Sequence, residues 1–213
     1  MKCLYCDEQI NKISFNSLFI EKDFLCLNCR KQLLIKKKTI KINDLKIETF
    51  YEYDGMFKTL LIQYKECYDE ALMDVFLYNL CAYIEYKYHG YKLLFVPSSK
   101  DKLSQRGFNH LELMFKNVKL KRTDGLKMIE DISQEGKNHN ERTRMLNNYV
   151  YYGEFVNKVL IVDDVLTTGS SIYGVYNAIK SHSNEVKALS LARKENAFIN
   201  NNNCVRIKER RII

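Results

Sequence analysis

The chain reads as an α/β protein whose mainly parallel sheet is flanked by helices, with a small metal-binding module at its N-terminus. Three observations predict this. Short runs with apolar centres suited to buried parallel strands occur at Lys92–Pro97 (KLLFVP) and at Val159–Asp164 (VLIVDD). Stretches with apolar residues at helical spacing lie between and after them. Four of the seven cysteines form two C-x2-C pairs near the start, Cys3/Cys6 and Cys26/Cys29.

Within the 213 residues, 46% are hydrophobic and 28% charged, ordinary values for a globular chain with one sizeable core. No run approaches the roughly 18 apolar residues of a membrane span, because Asp74 interrupts the most apolar region, Ala71–Ile84. The opening MKCLYCDEQI lacks the apolar core of a signal peptide, so a cytoplasmic chain without a disulfide framework is expected. The formal net charge of +8 favours phosphate-rich partners such as nucleic acid, nucleotides or anionic lipid. A merely Lys-rich composition would carry the same charge.

Taken in order, residues 1–40 form the first unit. Two residues between thiolates let a tight turn aim both sulfurs at one ion, and two such knuckles, here 19 residues apart, complete a tetrahedral four-cysteine site suited to structural Zn²⁺. A redox C-x-x-C pair would need a surrounding βαβ pattern, which these residues lack. Lys31–Lys41 (KQLLIKKKTIK) then reads as a domain junction with Lys36, Lys37 and Lys38 exposed, either as a solvated linker or as a contact for nucleic-acid phosphates. Residues 41–213 form the second unit. Phe57, Leu60, Leu61 and Tyr64 mark one face of a helix; Met73, Phe76, Leu77, Leu80 and Ile84 mark a second. A helix is expected from Asn109 through Lys116 after the first buried strand, and Ile172, Val175, Tyr176 and Ile179 mark another after Ser170. Glu185–Lys194 reads as the closing strand. Ile199–Asn203 reads as a loop, and the tail VRIKERRII is basic.

The stretch VLIVDDVLTTGSS, Val159–Ser171, carries the chemistry. Ligands of open α/β sheets sit at the carboxyl ends of strands, where Asp163 and Asp164 fall. Adjacent carboxylates repel, so a Mg²⁺ ion or donating hydroxyls must compensate. Thr167, Thr168, Gly169, Ser170 and Ser171 lead into a helix whose first N–H groups, with nearby hydroxyls, would cradle a phosphate. Gly169 permits the tight turn. A ribose 5-phosphate fits this arrangement. The Gly-Lys-Ser/Thr ending of a Walker loop and the dinucleotide glycine fingerprint are both absent. A receiver domain places acids at strand ends but does not require the hydroxyl turn.

This stretch resembles the phosphoribosyl-pyrophosphate (PRPP) motif of type I phosphoribosyltransferases. That resemblance implies ribose hydroxyls on Asp163 and Asp164 and the 5-phosphate on Thr167–Ser171. VPSSKDKLSQRGFNHLELM, with Arg106-Gly107-Phe108-Asn109, together with the paired cysteine knuckles, resembles the competence protein F family. The resemblance implies a pyrophosphate loop at Ser98, Ser99, Lys100, Lys102, Arg106 and Gly107. It also implies a mobile loop around Gln134, Glu141, Arg142, Arg144 and Asn147. The family usually reads Val-Pro-Val-Pro where this chain has Val-Pro-Ser-Ser, and Gln where it has His110.

Two functions follow from the resemblance. One is DNA uptake in natural transformation, with single-stranded DNA, the uptake helicase and recombination mediators as partners and an association with the inner face of the membrane through them. The alternative is Mg²⁺- and PRPP-dependent glycosyl transfer to an acceptor the sequence does not name. Fifteen tyrosines and eleven phenylalanines could stack on bases, though most are expected in the core.

Overall fold

In the computed structural model, residues 1–10, 23–128 and 148–194 are described. The elements are α1 (Leu27–Gln32), β1 (Lys38–Ile42), β2 (Leu45–Glu52), α2 (Gly55–Glu66), α3 (Cys81–Lys87), β3 (Lys92–Phe95), α4 (Lys100–Arg106), α5 (His110–Met114), β4 (Leu126–Met128), β5 (Tyr149–Tyr151), β6 (Lys158–Leu166), α6 (Ser170–Ile179) and β7 (Glu185–Arg193). The main sheet has the order β1-β2-β7-β6-β3. β1 joins β2 antiparallel; the other three pairings are parallel. β4 and β5 form a separate two-stranded ribbon.

The central strand β6 shows why an all-apolar run was needed. Leu160 and Val162 enter the layer built with Tyr64, Phe76 and Ile84, while Val159 and Ile161 enter the opposite layer with Ile172, Val175 and Ile179. A strand covered by helices on both faces has no side for polar residues. The α/β class with a mainly parallel sheet and an N-terminal cysteine cluster is therefore the observed architecture.

Several elements differ from expectation. The second apolar stripe is not one helix: a 3-10 turn at Glu70–Asp74 precedes irregular turns, and α3 starts only at Cys81. Asn79 has φ of 60°, which breaks helical continuity, although Val75, Phe76, Leu77 and Leu80 stay buried. The helix expected from Asn109 is shorter, with the Asn109 side chain accepting the Glu112 N–H at 3.4 Å as its cap. The basic segment after β3 is itself helical. It ends at Gly107, whose φ of 78° closes α4, so Arg-Gly-Phe-Asn is one helix stop followed by the next helix start.

The division expected at residue 40 falls inside β1, where Ile40 is buried in the sheet's second layer. Cys3, Leu25, Cys26, Cys29 and Leu33 share a core with Phe50, Met56 and Phe57. Arg30 fastens the N-terminal segment further: it pairs with Asp23 at 2.5 Å, donates to the Val75 carbonyl at 3.2 Å and lies over Tyr78. Ile199–Asn203 and the basic tail lie outside the described residues.

Candidate sugar-phosphate site and cysteine cluster

β6 delivers Asp163 and Asp164 to the carboxyl end of the parallel sheet, and strand alternation sends the two side chains to opposite faces. The turn beyond them is short and exposed at Thr167 and Thr168. Thr168 Oγ1 lies 2.8 Å from Ser170 Oγ and accepts the Ser170 N–H at 3.3 Å. Gly169 has φ of 79°, which favours glycine, and a Cβ there would push the end of the Ile42 side chain, 2.2 Å away, out of place. Gly169 is the N-cap of α6 and offers no capping side chain, which leaves the helix's first amides without a capping partner from that residue.

The repulsion expected between the two aspartates is relieved on one face by the Lys65 ammonium and a hydrogen bond from His110. Asp164 Oδ2 accepts from His110 Nε2 at 2.5 Å and from Lys65 Nζ at 2.6 Å. Arg106, a permanent donor, contacts His110 Nδ1 at 3.0 Å, so Nδ1 is the acceptor and Nε2 carries the proton toward Asp164. Burial lowers the His110 pKa despite Asp164, in keeping with a neutral ring. Burial would raise Asp164, but the His110 hydrogen bond and the Lys65 ammonium outweigh it and hold the carboxyl well below the usual range.

Asp163 has the contrary environment. Burial and the negative Asp164 push it up to about 7, and the Asp164 N–H donated to its Oδ1 at 2.9 Å offsets this only in part. A carboxyl whose folded pKa exceeds its unfolded one loses stability as pH rises from the unfolded value toward the folded value. Asp163→Asn is therefore expected to raise the melting temperature at pH 8 and to flatten the decline in stability between pH 5 and 7, read by thermal melts across that range.

The pyrophosphate-loop residues are placed as follows. Ser98 Oγ sits 3.4 Å from His110 Nδ1, Ser99 caps α4, Lys100 opens that helix, and Gly107 ends it. The Arg106 side chain is only 4% exposed, and its guanidinium also donates to the Lys65 carbonyl at 2.9 Å and approaches Glu66 at 3.7 Å. Arg106 thus supports the Asp164 network and is not a bare cation. Gln134, Glu141, Arg142, Arg144 and Asn147 lie outside the described residues. A cleft of about 230 Å³ opens beside Asp164, lined by Tyr53, Leu61, Lys65, Glu66, Val165 and Thr167. Sequence reading missed Lys65, which belongs to no motif and lies 99 residues before its partner. For His110 there was a signal: it stands where the competence protein F pattern that the chain resembles usually has glutamine.

The expected exposed Lys36–Lys38 cluster is largely engaged. Lys36 pairs with Glu52; Lys37 pairs with Glu48 at 3.0 Å and contacts the Tyr83 hydroxyl; Lys38 opens β1.

At the other end of the chain, the sulfurs of Cys3, Cys6, Cys26 and Cys29 all lie within 4.8 Å of one another. A tetrahedral ion with metal–sulfur bonds of ~2.3 Å would set sulfurs roughly 3.8 Å apart, and Cys6 and Cys26 are separated by 3.7 Å. The four cysteines could hold one metal ion, and the donor set fits a structural one.

No family model matches the chain. It is similar to competence protein ComFC of Streptococcus pneumoniae (strain ATCC BAA-255 / R6), with 27% identity over 222 residues, covering 91% of this chain and all of that protein. The resemblance to the competence protein F family thus extends over nearly the whole sequence. A solved hypoxanthine phosphoribosyltransferase from Staphylococcus aureus matches 60% of this chain and 66% of its own at 17% identity, with a TM-score of 0.36, too loose a superposition to bear on function. Among the described residues no helix is long and apolar enough to cross a membrane.

Proposed function

We propose that this chain is a DNA-handling protein of the competence type, with a sugar-phosphate pocket at the β6–α6 turn and an N-terminal segment stapled by Zn²⁺. The turn carries the reading: it supplies the hydroxyls of Thr167, Thr168, Ser170 and Ser171, with Thr168 and Ser170 in contact, a glycine at positive φ, and the start of a ten-residue helix beside an acidic strand end. Lys65 and His110 already occupy Asp164 Oδ2, so Asp163, with no protein cation paired to it among the described residues, is assigned the ribose hydroxyls. Where PRPP is the ligand, Mg²⁺ enters with its pyrophosphate. The net positive charge and the similarity to ComFC support single-stranded DNA as the macromolecular partner, with the uptake helicase and recombination mediators as protein partners on the cytoplasmic side.

Calorimetry with ribose 5-phosphate and with Mg²⁺–PRPP tests the pocket. Saturable binding is expected, weakened at least about tenfold by Gly169→Ala, since a new Cβ must displace Ile42 and strain the turn. Absence of binding by either compound would overturn the pocket. Pyrophosphate released from PRPP in the presence of bases, and lost in Asp163→Asn, would establish glycosyl transfer in place of simple binding.

A further inference from the structure

Sheet register places a row of lysines on one face, at the end of the sheet where its parallel strands start and on the face opposite the Ile42–Gly169 contact. Lys41 of β1 stands directly opposite Lys46 of β2. The parallel register Ile47–Ala188 then sets Lys46 beside Lys187 of β7. Ile47 and Ala188 both enter the layer that contains Ile172, so by alternation Lys46 and Lys187 project to the other face, the side on which Tyr91 packs. Lys158 of β6 joins them there. Lys187 and Lys158 lie over the Tyr91 ring at 4.8 and 5.6 Å, and Lys37 and Lys87 lie over Tyr83 at 4.1 and 5.6 Å.

Six lysines therefore border this face. The carboxylates that answer them are Glu48, which pairs with Lys37 and Lys87; Glu185, which pairs with Lys187 and Lys158; and Asp44, within electrostatic reach of Lys41 and hydrogen-bonded by Tyr176. Lys41 and Lys46 are exposed and enter no ion pair among the described residues. Like charges directly opposite in an antiparallel pair oppose folding, and here the third strand adds another. Neighbouring strands are ~4.8 Å apart, so the row spans about 10 Å, a length that one or two successive backbone phosphates of a nucleic-acid strand can follow.

We infer that the Lys41–Lys46–Lys187 row, bordered by the tyrosine-backed lysines of α3 and β6, is the surface on which this protein carries a single nucleic-acid strand. The inference rests on the DNA-handling reading and gives it a place: the sheet face opposite the one on which Ile42 meets Gly169 of the sugar-phosphate turn. A nucleic acid is favoured over an anionic bilayer because Lys187 and Lys158 are backed by the Tyr91 ring and not by exposed aliphatic side chains that would enter lipid.

Fluorescence anisotropy of a labelled dT20 with the full-length protein tests it. Removing one phosphate-binding lysine should reduce the slope of log K against log salt by about 0.7. Lys41→Gln/Lys46→Gln should therefore lower the slope by roughly 1.4, and Lys41→Glu/Lys46→Glu should weaken binding at least about tenfold at low salt. Both should keep the circular dichroism spectrum of the parent, while Lys119→Gln/Lys121→Gln keeps its affinity. Parent-like affinity and slope in the first two variants would overturn the inference and leave the DNA-handling reading standing. No binding of dT20 by the parent would overturn both. Tighter binding to phosphatidylserine vesicles than to dT20, abolished in the same variants, would replace the inference with a membrane surface.

Discussion

Cys26→Ser should lower bound zinc from about one ion per chain to a small fraction of that, measured by elemental analysis of protein purified without chelator. It should also expose the N-terminal segment to protease. Cys26 is buried, its sulfur faces Cys6, and it begins the knuckle that leads into α1. A serine hydroxyl is a poor ligand for zinc where a thiolate is needed. Structural zinc supplies on the order of 10 kcal/mol to small modules that cannot fold alone. Here part of the loss will spread, because Cys3, Cys26, Cys29 and Leu33 belong to the same apolar cluster as Phe57 and Phe76. A cooperative fall in melting temperature of the whole protein is expected, not just local fraying. Unchanged metal content in Cys26→Ser would rule out the four-cysteine centre.

The second large effect concerns the network under the acidic strand end. Asp164→Ala removes the carboxylate that Lys65 and His110 both donate to and leaves a lysine with no carboxylate in a site that is only about a quarter exposed. Breaking such a pair costs about 3–5 kcal/mol, equivalent for a chain of this size to roughly 6–20 °C in melting temperature. Adding Lys65→Met should recover part of the stability, since residues that touch couple by about 0.5–3 kcal/mol. Because Asp164 is held below the ordinary carboxyl range, its contribution is present above the unfolded pKa of about 3.9 and disappears only as pH falls through its lower folded value. Full additivity of the two substitutions, read by calorimetric melts, would show that the pair does not act as a unit. Asp163→Asn, by contrast, is expected to stabilise, so two adjacent aspartates answer similar changes with opposite signs.

That opposition marks the border of what sequence can tell. The DD pair, the hydroxyl turn, its glycine and the cysteine knuckles all act over a few residues. Local geometry dictates them, and spacing alone revealed them. β6, β7 and α6 were likewise legible, because a strand buried on both faces must be apolar throughout and an amphipathic helix must repeat its stripe. The β1–β2 hairpin was overlooked because KKKTIK read as a charged junction; its signal was the alternation Ile40, Ile42 and Leu45, Ile47 around Asn43-Asp44.

Residue order was enough to establish the class of fold, the place of the hydroxyl turn and the four sulfurs that cluster. It could not supply which cation meets which carboxylate: Lys65 with Asp164, Lys37 and Lys87 with Glu48, and Lys41 beside Lys46 beside Lys187 came only from the folded chain. Backbone propensity and apolar periodicity are properties of neighbours along the chain. Electrostatic partners are chosen by strand register and helix placement, which bring together groups as many as 99 positions apart.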